Sequence, residues 1–211
     1  MKALILANGN KPGYTLVMEH IKDAGIVLAV DGAARLVREY GIRADALIGD
    51  LDSVQPVDLS FIEEQNIKII RLRREKDETD THTAFDYAVQ AGADEIVLLG
   101  ALGKRFDHSF GNVMLLTRAL KRGIKAVIAD EKNTLFAAQG FLRLTGKPGD
   151  IVSILPLSEG VVADGSRGLK YPLNCLPIPL DYPVGVSNEM TADEAAFEIA
   201  GGIALIALSR D

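Results

Sequence analysis

The chain is organised around the stretch Ala46-Leu47-Ile48-Gly49-Asp50-Leu51-Asp52-Ser53. Its first three residues form a short apolar run with the length and composition of a buried strand. Asp50 and Asp52 follow directly, two positions apart, and point the same way if the loop is extended. Such a pair offers the hard oxygen ligands that Mg²⁺ uses together with substrate phosphates. An ordinary turn, in which each Asp bonds its own backbone, is the alternative interpretation.

Short apolar runs alternate with amphipathic stretches on both sides of this segment. The predicted strands are Lys2–Ala7, Ile26–Val30, Ala46–Ile48, Ile67–Leu72, Ile96–Leu99 and Ala126–Ala129. The predicted helices lie near Thr15–Ala24, Arg35–Tyr40, Val57–Gln65, Asp80–Ala91 and Phe106–Arg122. Strands that alternate with helices predict a parallel, Rossmann-like α/β sheet.

The pattern changes near residue 131. Short apolar segments separated by turn residues predict strands at Leu135–Ala138, Phe141–Leu144, Ile151–Pro156, Gly160–Ala163, Leu169–Leu173 and Val184–Ser187. A final hairpin is predicted from Ala195–Ile199 and Ile203–Leu208, with its turn at Gly201-Gly202. We therefore expect an α/β domain over residues 1–130, followed by a small antiparallel β-sandwich over residues 131–211.

Composition and charge exclude several classes of function. The 211 residues have 48% hydrophobic content, enough for one sizeable core or two modest ones. A net charge of −6 gives no field that attracts polyanions, so we expect no nucleic-acid partner. The chain has no apolar run of about 18 residues, so we expect no membrane span. The single cysteine, Cys175, excludes an internal disulfide, and a reducing cytoplasm is the expected location.

Polar clusters follow the predicted strands. Asp31 follows the second strand, Asp50 and Asp52 the third, Lys76–Asp80 the fourth and Gly100–His108 the fifth. The carboxyl ends of parallel strands meet at one edge of the sheet, where open α/β folds bind ligands. Acidic side chains that converge there repel one another unless a cation joins them. The sequence therefore predicts a metal site at this edge.

Asp80 has two interpretations. Either Asp77 or Thr79 simply caps the helix that begins near Asp80, or Asp80 points its carboxylate at the cation held by Asp50 and Asp52. We favour the second interpretation because of the carboxylates that accompany it. The expected ligands are then Asp50, Asp52 and Asp80, and they suit Mg²⁺ or Mn²⁺.

The segment after the fifth predicted strand favours phosphate binding. Gly100 and Gly103 let backbone N–H groups approach a phosphate, and the N-terminus of the following helix favours negative charge. Arg105 offers a planar bidentate donor to phosphate. Asp107 can cap the helix, pair with Arg105 or hold the acceptor substrate, and His108 is either an acid or base or a structural residue. The segment is not a Walker A loop, because the Gly-Lys-Ser/Thr ending is missing.

Taken in order, these motifs resemble those of the thiamine pyrophosphokinase (thiamine diphosphokinase) family. The set is Asp31-Gly32-Ala33, Gly49–Ser53, Asp77–Asp80, Gly100–His108, Gly168–Tyr171 and Ser187-Asn188. The resemblance covers nearly the whole chain. It implies transfer of the β,γ-pyrophosphoryl group of ATP to the hydroxyl of thiamine, giving thiamine diphosphate and AMP. It also implies an α/β domain that holds ATP and Mg²⁺, and a β-sandwich that helps to form a homodimer with thiamine bound between subunits.

The resemblance assigns roles to single residues. The implied catalytic residues are Asp50, Asp52, Asp80, Asp107 and Arg105. The implied ATP-binding residues are Asp31, Gly32, Gly100, Gly103, Lys104, Arg105 and His108. The implied thiamine-binding residues are Thr79, Asp80, Ser187 and Asn188, the last two supplied by the other subunit. Two positions depart from the family pattern: Lys104 replaces a small residue, often Gly, and Tyr171 stands where an aromatic, often Trp, is expected.

Three questions stay open at the level of sequence. A phosphohydrolase of the haloacid-dehalogenase type would use an Asp of the Asp50–Asp52 pair as nucleophile, although that class usually carries its pair after the first strand. A non-catalytic regulator that binds nucleotide or thiamine is the second alternative, although a pure binder would not need every carboxylate. The acceptor of the hydroxyl proton is either Asp80 or Asp107.

Overall fold

The chain divides into two units, Met1–Glu131 and Lys132–Asp211. The computed structural model describes residues 1–103 and 105–210 of them. The predicted boundary, between Asp130 and Glu131, lies beside this division. The elements of the first unit are close to the predicted ones, and their bounds differ by a few residues.

The first unit alternates strands and helices. Its strands are β1 (Lys2–Leu6), β2 (Ile26–Val30), β3 (Ala46–Gly49), β4 (Lys68–Arg71), β5 (Glu95–Leu99) and β6 (Lys125–Ala129). Its helices are α1 (Tyr14–Ile21), α2 (Ala34–Tyr40), α3 (Pro56–Glu64), α4 (Asp80–Gln90) and α5 (Phe106–Lys121), and a 3₁₀ turn over Asp31–Ala33 precedes α2. None of the described helices is long and apolar enough to cross a membrane.

The sheet of the first unit is parallel, with the strand order β6-β5-β1-β2-β3-β4. The chain builds outward from β1 to β4 on one side and then returns to add β5 and β6 on the other. The strand order thus reverses between β1 and β5. At such a switch point the connections after the two strands diverge and leave a crevice outside their carboxyl ends.

The burial of consecutive strand residues explains the continuous apolar runs in the sequence. Ala3, Leu4, Ile5 and Leu6 in β1 are all buried, although neighbouring side chains on a strand point to opposite faces. Both faces of this strand are therefore covered. Burying one large aliphatic side chain contributes about 1.5–3 kcal/mol relative to leaving it exposed.

The second unit is antiparallel. Its strands are β7 (Asn133–Thr145), β8 (Ile151–Pro156), β9 (Val162–Arg167), β10 (Leu176–Pro177), β11 (Asn188–Glu189) and β12 (Glu194–Ser209). Strand β12 pairs with β7 along one edge, and its other edge pairs first with β9 and then with β8. The predicted fold class, a parallel α/β domain followed by an antiparallel β domain, is confirmed.

The predicted final hairpin is wrong. Ala195–Ile199 and Ile203–Leu208 belong to the single strand β12, and the ladder with β7 shifts between Ile199 and Ala204. Gly202 has φ +67°, a conformation that lets one strand bulge without reversing direction. The two strands predicted at Leu135–Ala138 and Phe141–Leu144 are likewise one strand, β7.

Two other predicted strands are absent from the described structure. Leu169–Leu173 contains only an isolated bridge between Leu169 and Met190, and Val184–Ser187 is irregular. Leu169 and Leu173 are nevertheless buried in the core of the second unit. Their apolar spacing therefore reflected burial rather than strand pairing. The strand predicted at Gly160–Ala163 begins later, at Val162.

Candidate active site

A cleft of about 700 Å³ opens at the carboxyl edge of the parallel sheet. Loops that follow β1, β2, β3, β4 and β5 line it, together with the first turns of α4 and α5. Of the predicted site residues, it is lined by Asp31, Asp50, Asp52, Thr79, Asp80, Gly100, Gly103, Arg105 and His108. The structure thus brings together side chains that are far apart in the sequence, at the edge where the sequence analysis placed them.

Three carboxylates form the closest group in the cleft. Ligand oxygens of Asp31, Asp50 and Asp52 all lie within 4.8 Å of one another. Asp31 can approach because Gly49 has no side chain, and a Cβ built there would lie 3.0 Å from the Asp31 Cβ. The Asp52 N–H donates to Asp50 Oδ1 at 3.0 Å, which closes a compact turn. Leu51, between the two acids, has φ +68° and packs against the core.

Asp31 carries the clearest electrostatic signature. Its side chain is buried, and its Oδ1 has no hydrogen-bond partner within the described chain. Burial raises the pKa of Asp31, a hydrogen bond with Ser53 partly offsets this, and the charges of Asp80, Asp52 and Asp50 raise it further. A buried carboxylate oxygen without a partner is costly. Three carboxylates that offer hard oxygen donors, one of which has this unpaired oxygen, fit a divalent cation such as Mg²⁺ or Mn²⁺.

Two cations of the β4–α4 loop hold acidic side chains of the cleft. Arg74 Nη2 lies 3.2 Å from Asp52 Oδ2, and its Nε lies 3.8 Å from Asp50 Oδ2. Lys76 Nζ lies 2.6 Å from Asp80 Oδ1. The close carboxylate group among the described residues therefore contains Asp31, whereas Asp80 lines the same cleft with a lysine partner. The ligand role of Asp80 stays a prediction.

Thr79 caps helix α4. Its Oγ1 accepts a hydrogen bond from the His82 backbone N–H at 3.2 Å, the standard interaction of an N-cap residue. Of the two capping residues considered, Asp77 and Thr79, the structure thus selects Thr79. The cap directs the first turn of α4, and with it Asp80, into the cleft.

The loops after β1 and β5 lie against each other at the switch point. The Gly9 N–H donates to the Gly100 carbonyl at 2.7 Å, and the Asn10 N–H donates to the Leu102 carbonyl at 2.6 Å. Gly100 has φ +66°, and a Cβ built there would lie 2.4 Å from the Ala7 carbonyl oxygen. A larger residue at Gly100 would therefore separate the two loops, so this glycine is required by close approach.

Helix α5 holds the loop after β5. Ser109 Oγ accepts a hydrogen bond from the Gly103 N–H at 3.0 Å. Asn112 is buried, and its Nδ2 donates to the Ala101 carbonyl at 2.7 Å. The sequence analysis missed both residues. Their signal was available, because polar residues three positions apart recur on a helix that otherwise presents apolar residues to the core.

Arg105 and Asp107 form an exposed bidentate pair. Arg105 Nη2 lies 2.5 Å from Asp107 Oδ2, and its Nε lies 3.2 Å from Oδ1. This pairing raises the pKa of Arg105 and lowers the pKa of Asp107. Arg105 and His108 line the cleft, while Asp107 is exposed next to them. Lys104, predicted to bind ATP, lies outside the described residues.

The loop after β1 is a second feature that the sequence analysis missed. Asn8, Gly9 and Asn10 line the cleft, although the sequence analysis assigned them no role. A Cβ built on Gly32 would lie 2.3 Å from Asn8 Nδ2, so Gly32 gives Asn8 room to pack. The general argument about carboxyl ends of parallel strands applied to this loop as well, and could have identified it.

In the second unit, Asn188 is buried and makes three hydrogen bonds to backbone groups. Its Oδ1 accepts from the N–H groups of Tyr171 at 3.0 Å and Glu189 at 2.9 Å, and its Nδ2 donates to the Tyr171 carbonyl at 2.7 Å. Tyr171 is 59% exposed. Ser187 has φ +62°, and its N–H donates to Ser153 Oγ at 3.1 Å. Asn188 therefore fixes the backbone at Tyr171, whereas Ser187 is exposed.

The fold and the cleft define a class: two-unit proteins with an acidic, glycine-rich ligand site at the switch point of a parallel sheet. Comparison with known families narrows the class. A family model described as "Thiamin pyrophosphokinase, catalytic domain" matches residues 17–128. A second, described as "Thiamin pyrophosphokinase, vitamin B1 binding domain", matches residues 142–204. The chain therefore belongs to the thiamin pyrophosphokinase family, and the resemblance seen in its motifs is confirmed.

Individual relatives agree with this assignment. The thiamine pyrophosphokinase of Bacillus subtilis is 29% identical over 209 residues, which are 98% of each chain. A crystal structure of the Bacillus subtilis protein has a TM-score of 0.88 at 26% identity and covers 100% of both chains. The structure from Geobacillus thermodenitrificans has a TM-score of 0.87 at 29% identity, covering 100% of this chain and 98% of that one. The assignment to an enzyme of the transferase class is confirmed, and the comparisons do not favour the phosphohydrolase or the non-catalytic regulator.

Proposed function

We propose that the chain transfers the pyrophosphoryl group of ATP to the hydroxyl of thiamine, producing thiamine diphosphate and AMP. The observation that carries the proposal is the group of Asp31, Asp50 and Asp52 beside the glycine loop at the switch point. Carboxylates for a divalent cation and backbone donors for phosphates are the two components that nucleotide phosphoryl chemistry requires.

The loop after β5 and the first turn of α5 are proposed to bind the ATP phosphates. Helix α5 has 16 residues, and its N-terminal N–H groups and dipole favour an anion. Arg105 would exchange Asp107 for a phosphate, since both partners are exposed and the pair is free to open. Gly32, Gly100, Gly103, Lys104 and His108 remain the other predicted ATP-side residues.

The carboxylate group is proposed to hold Mg²⁺, or Mn²⁺ in its place. Asp50, Asp52 and Asp80 are the predicted ligands. Asp31 lies in the same close group as Asp50 and Asp52, and Asp80 lines the same cleft. When bound, such an ion offsets charge on the transferred group. The protein itself determines the position of the cation site. The hydrogen bond from the Asp52 N–H to Asp50 and the packing of Leu51 against the core hold the loop that carries these carboxylates.

The reaction needs no covalent enzyme intermediate. The thiamine oxygen attacks the β-phosphorus in line, the bond from that phosphorus to the oxygen shared with the α-phosphate breaks, and AMP leaves. The chain contributes mainly positioning and electrostatic stabilisation. The hydroxyl proton needs an acceptor, and Asp80 and Asp107 are the two candidates for this role.

Thiamine is a cation, so an acidic cleft suits it as the acceptor. We propose that Thr79 and Asp80 contact thiamine on one side, and that Ser187 and Asn188 belong to the segment on the other. Asn188 would act through Tyr171, because it is buried and its amide holds both the N–H and the carbonyl of Tyr171. The homodimer with sites between subunits is part of this proposal, and sedimentation analysis tests it. A cytoplasmic location stays a prediction.

Product analysis tests the proposed function. Purified protein is mixed with ATP, Mg²⁺ and thiamine, and each component is omitted in turn. We expect AMP and thiamine diphosphate in equal amounts, only when all three are present. ADP with thiamine monophosphate would move the attack to the γ-phosphorus. Tight binding of both substrates without AMP release would favour a regulator.

A further inference from the structure

We infer that Arg74 is the resident counter-ion of the Asp50–Asp52 pair and competes with the divalent cation for it. This inference rests on the proposed function, in which the pair holds that cation. Arg74 would thus set the cation concentration at which the site fills. The family motifs do not include this residue.

The contacts of Arg74 place a positive charge where the cation is proposed to bind. Its Nη2 lies 3.2 Å from Asp52 Oδ2, and its Nε lies 3.8 Å from Asp50 Oδ2. One guanidinium therefore spans both carboxylates of the motif. A bound divalent cation and this guanidinium would share the same oxygen atoms, so the two are expected to exclude each other.

Arg74 leaves the third carboxylate unsatisfied. Its ion pairs in the structure reach Asp50 and Asp52, while Asp31 Oδ1 is buried without a hydrogen-bond partner in the described chain. All three carboxylates offer oxygens within 4.8 Å of one another. A divalent cation at this position would contact all three carboxylates, whereas the singly charged Arg74 forms ion pairs with two. We therefore expect the divalent cation to displace Arg74, at the cost of breaking the two ion pairs of Arg74.

Arg74 is also held weakly enough to leave. Its side chain is 73% exposed, and it lies on the irregular loop between β4 and α4. The neighbouring pair of Lys76 and Asp80 is different, since the Lys76 side chain is only 18% exposed and its Nζ–Oδ1 distance is 2.6 Å. Exposed ion pairs contribute little free energy, and salt screens them further. We therefore assign the exchangeable role to Arg74 and not to Lys76.

The neighbouring residue Arg73 supplies a matched control. Arg73 is exposed on the same loop, and its side chain makes no ion pair with any residue that the structure describes. Arg74→Gln and Arg73→Gln change the net charge of the protein equally. A general attraction of cations to a more acidic protein therefore affects both variants alike, and a difference between them reports the contact with Asp50 and Asp52.

The test measures binding of Mn²⁺ alone, without ATP or thiamine, from the electron paramagnetic resonance signal of the free ion. We expect Arg74→Gln to lower the Mn²⁺ dissociation constant about two- to five-fold relative to Arg73→Gln, as displacing an exposed ion pair allows. We expect the difference to shrink at high salt, and Arg74→Lys to lie between wild type and Arg74→Gln. Thermal melting establishes that each variant is folded.

Equal or weaker Mn²⁺ binding by Arg74→Gln would overturn the inference. Absence of Mn²⁺ binding by wild type and by both Gln variants would overturn it as well, because there would be no cation for Arg74 to displace. Product analysis of the wild-type protein separates the two proposals. Thiamine diphosphate formation combined with unchanged Mn²⁺ binding would reject the role of Arg74 and leave the proposed function in place.

Discussion

Asn112 Nδ2 donates a hydrogen bond to the Ala101 carbonyl oxygen at 2.7 Å, which ties helix α5 to the loop after β5. Asn112 is buried, so removal of its amide leaves a carbonyl without a partner. We expect Asn112→Ala to reduce the free energy of unfolding by about 1–3 kcal/mol. We also expect a higher KM for ATP with a smaller change in kcat, because the loop is proposed to bind phosphate.

Urea denaturation and ATP saturation curves measure these two effects. Gln90→Ala removes an amide from the exposed end of α4 and serves as the control. A variant with wild-type stability and wild-type KM would show that the hydrogen bond does not hold the loop.

Asp31→Asn tests how much the buried, ionised carboxylate lowers the free energy of unfolding. The pKa of Asp31 is raised by burial and by neighbouring acids, so its ionised form is less stable in the folded protein than in the unfolded chain. That cost is absent well below the ordinary Asp range and grows as the pH rises through the raised pKa. Asn lacks the charge and tolerates the φ of +49° at this position.

We therefore expect Asp31→Asn to melt at a higher temperature than wild type at neutral pH without metal, and the difference to disappear at low pH. Mg²⁺ should raise the melting temperature of wild type more than that of the variant. Melting curves across pH measure both effects, with Asp77→Asn as an exposed control. A pH-independent difference would contradict the electrostatic explanation.

Asp52→Asn tests the metal assignment. Mutation of a residue that only hydrogen-bonds a metal ligand typically lowers activity about 10–100-fold. Loss of a ligand itself should therefore lower kcat by about 100-fold or more. Folding should survive, since Asp52 lies on an exposed turn. Glu75→Gln removes an exposed negative charge nearby and should leave kcat close to wild type. Normal melting together with near-normal turnover of Asp52→Asn would reject the assignment.

Asn188→Ala tests the backbone clamp of the second unit. Three hydrogen bonds of its buried amide fix the backbone at Tyr171 and Glu189. We expect a loss of about 1–3 kcal/mol in the free energy of unfolding and a higher KM for thiamine. Ser187→Ala, which removes an exposed hydroxyl, should raise the thiamine KM without this loss of stability. Unchanged stability of Asn188→Ala in urea would argue against the clamp.

The parallel sheet and its ligand edge could be predicted because local sequence determines both. Buried strands such as β3 have continuous apolar sequences. The loops that follow parallel strands all lie at the carboxyl edge of the sheet. This argument predicts that Asp31 lies near Asp50, and the structure confirms it. It did not show which acids form the closest group, because that depends on Gly49 and on the positive φ of Leu51.

The second unit was harder to predict because apolar spacing reports burial and not pairing. Gly201-Gly202 has the composition of a hairpin turn, yet β12 passes through it as a bulge. Whether two glycines reverse a strand or bend it depends on its partners, here β7, β8 and β9, which come from distant parts of the chain. The ion pair of Arg74 with Asp52 spans 22 positions and was equally invisible to local patterns.

The most direct test of the central claim uses ATP labelled at the β-phosphorus, incubated with the protein, Mg²⁺ and thiamine. Attack at the β-phosphorus transfers the β- and γ-phosphates together. The account predicts that all transferred label appears in thiamine diphosphate and that the AMP formed is unlabelled. Labelled ADP together with unlabelled thiamine monophosphate would contradict it.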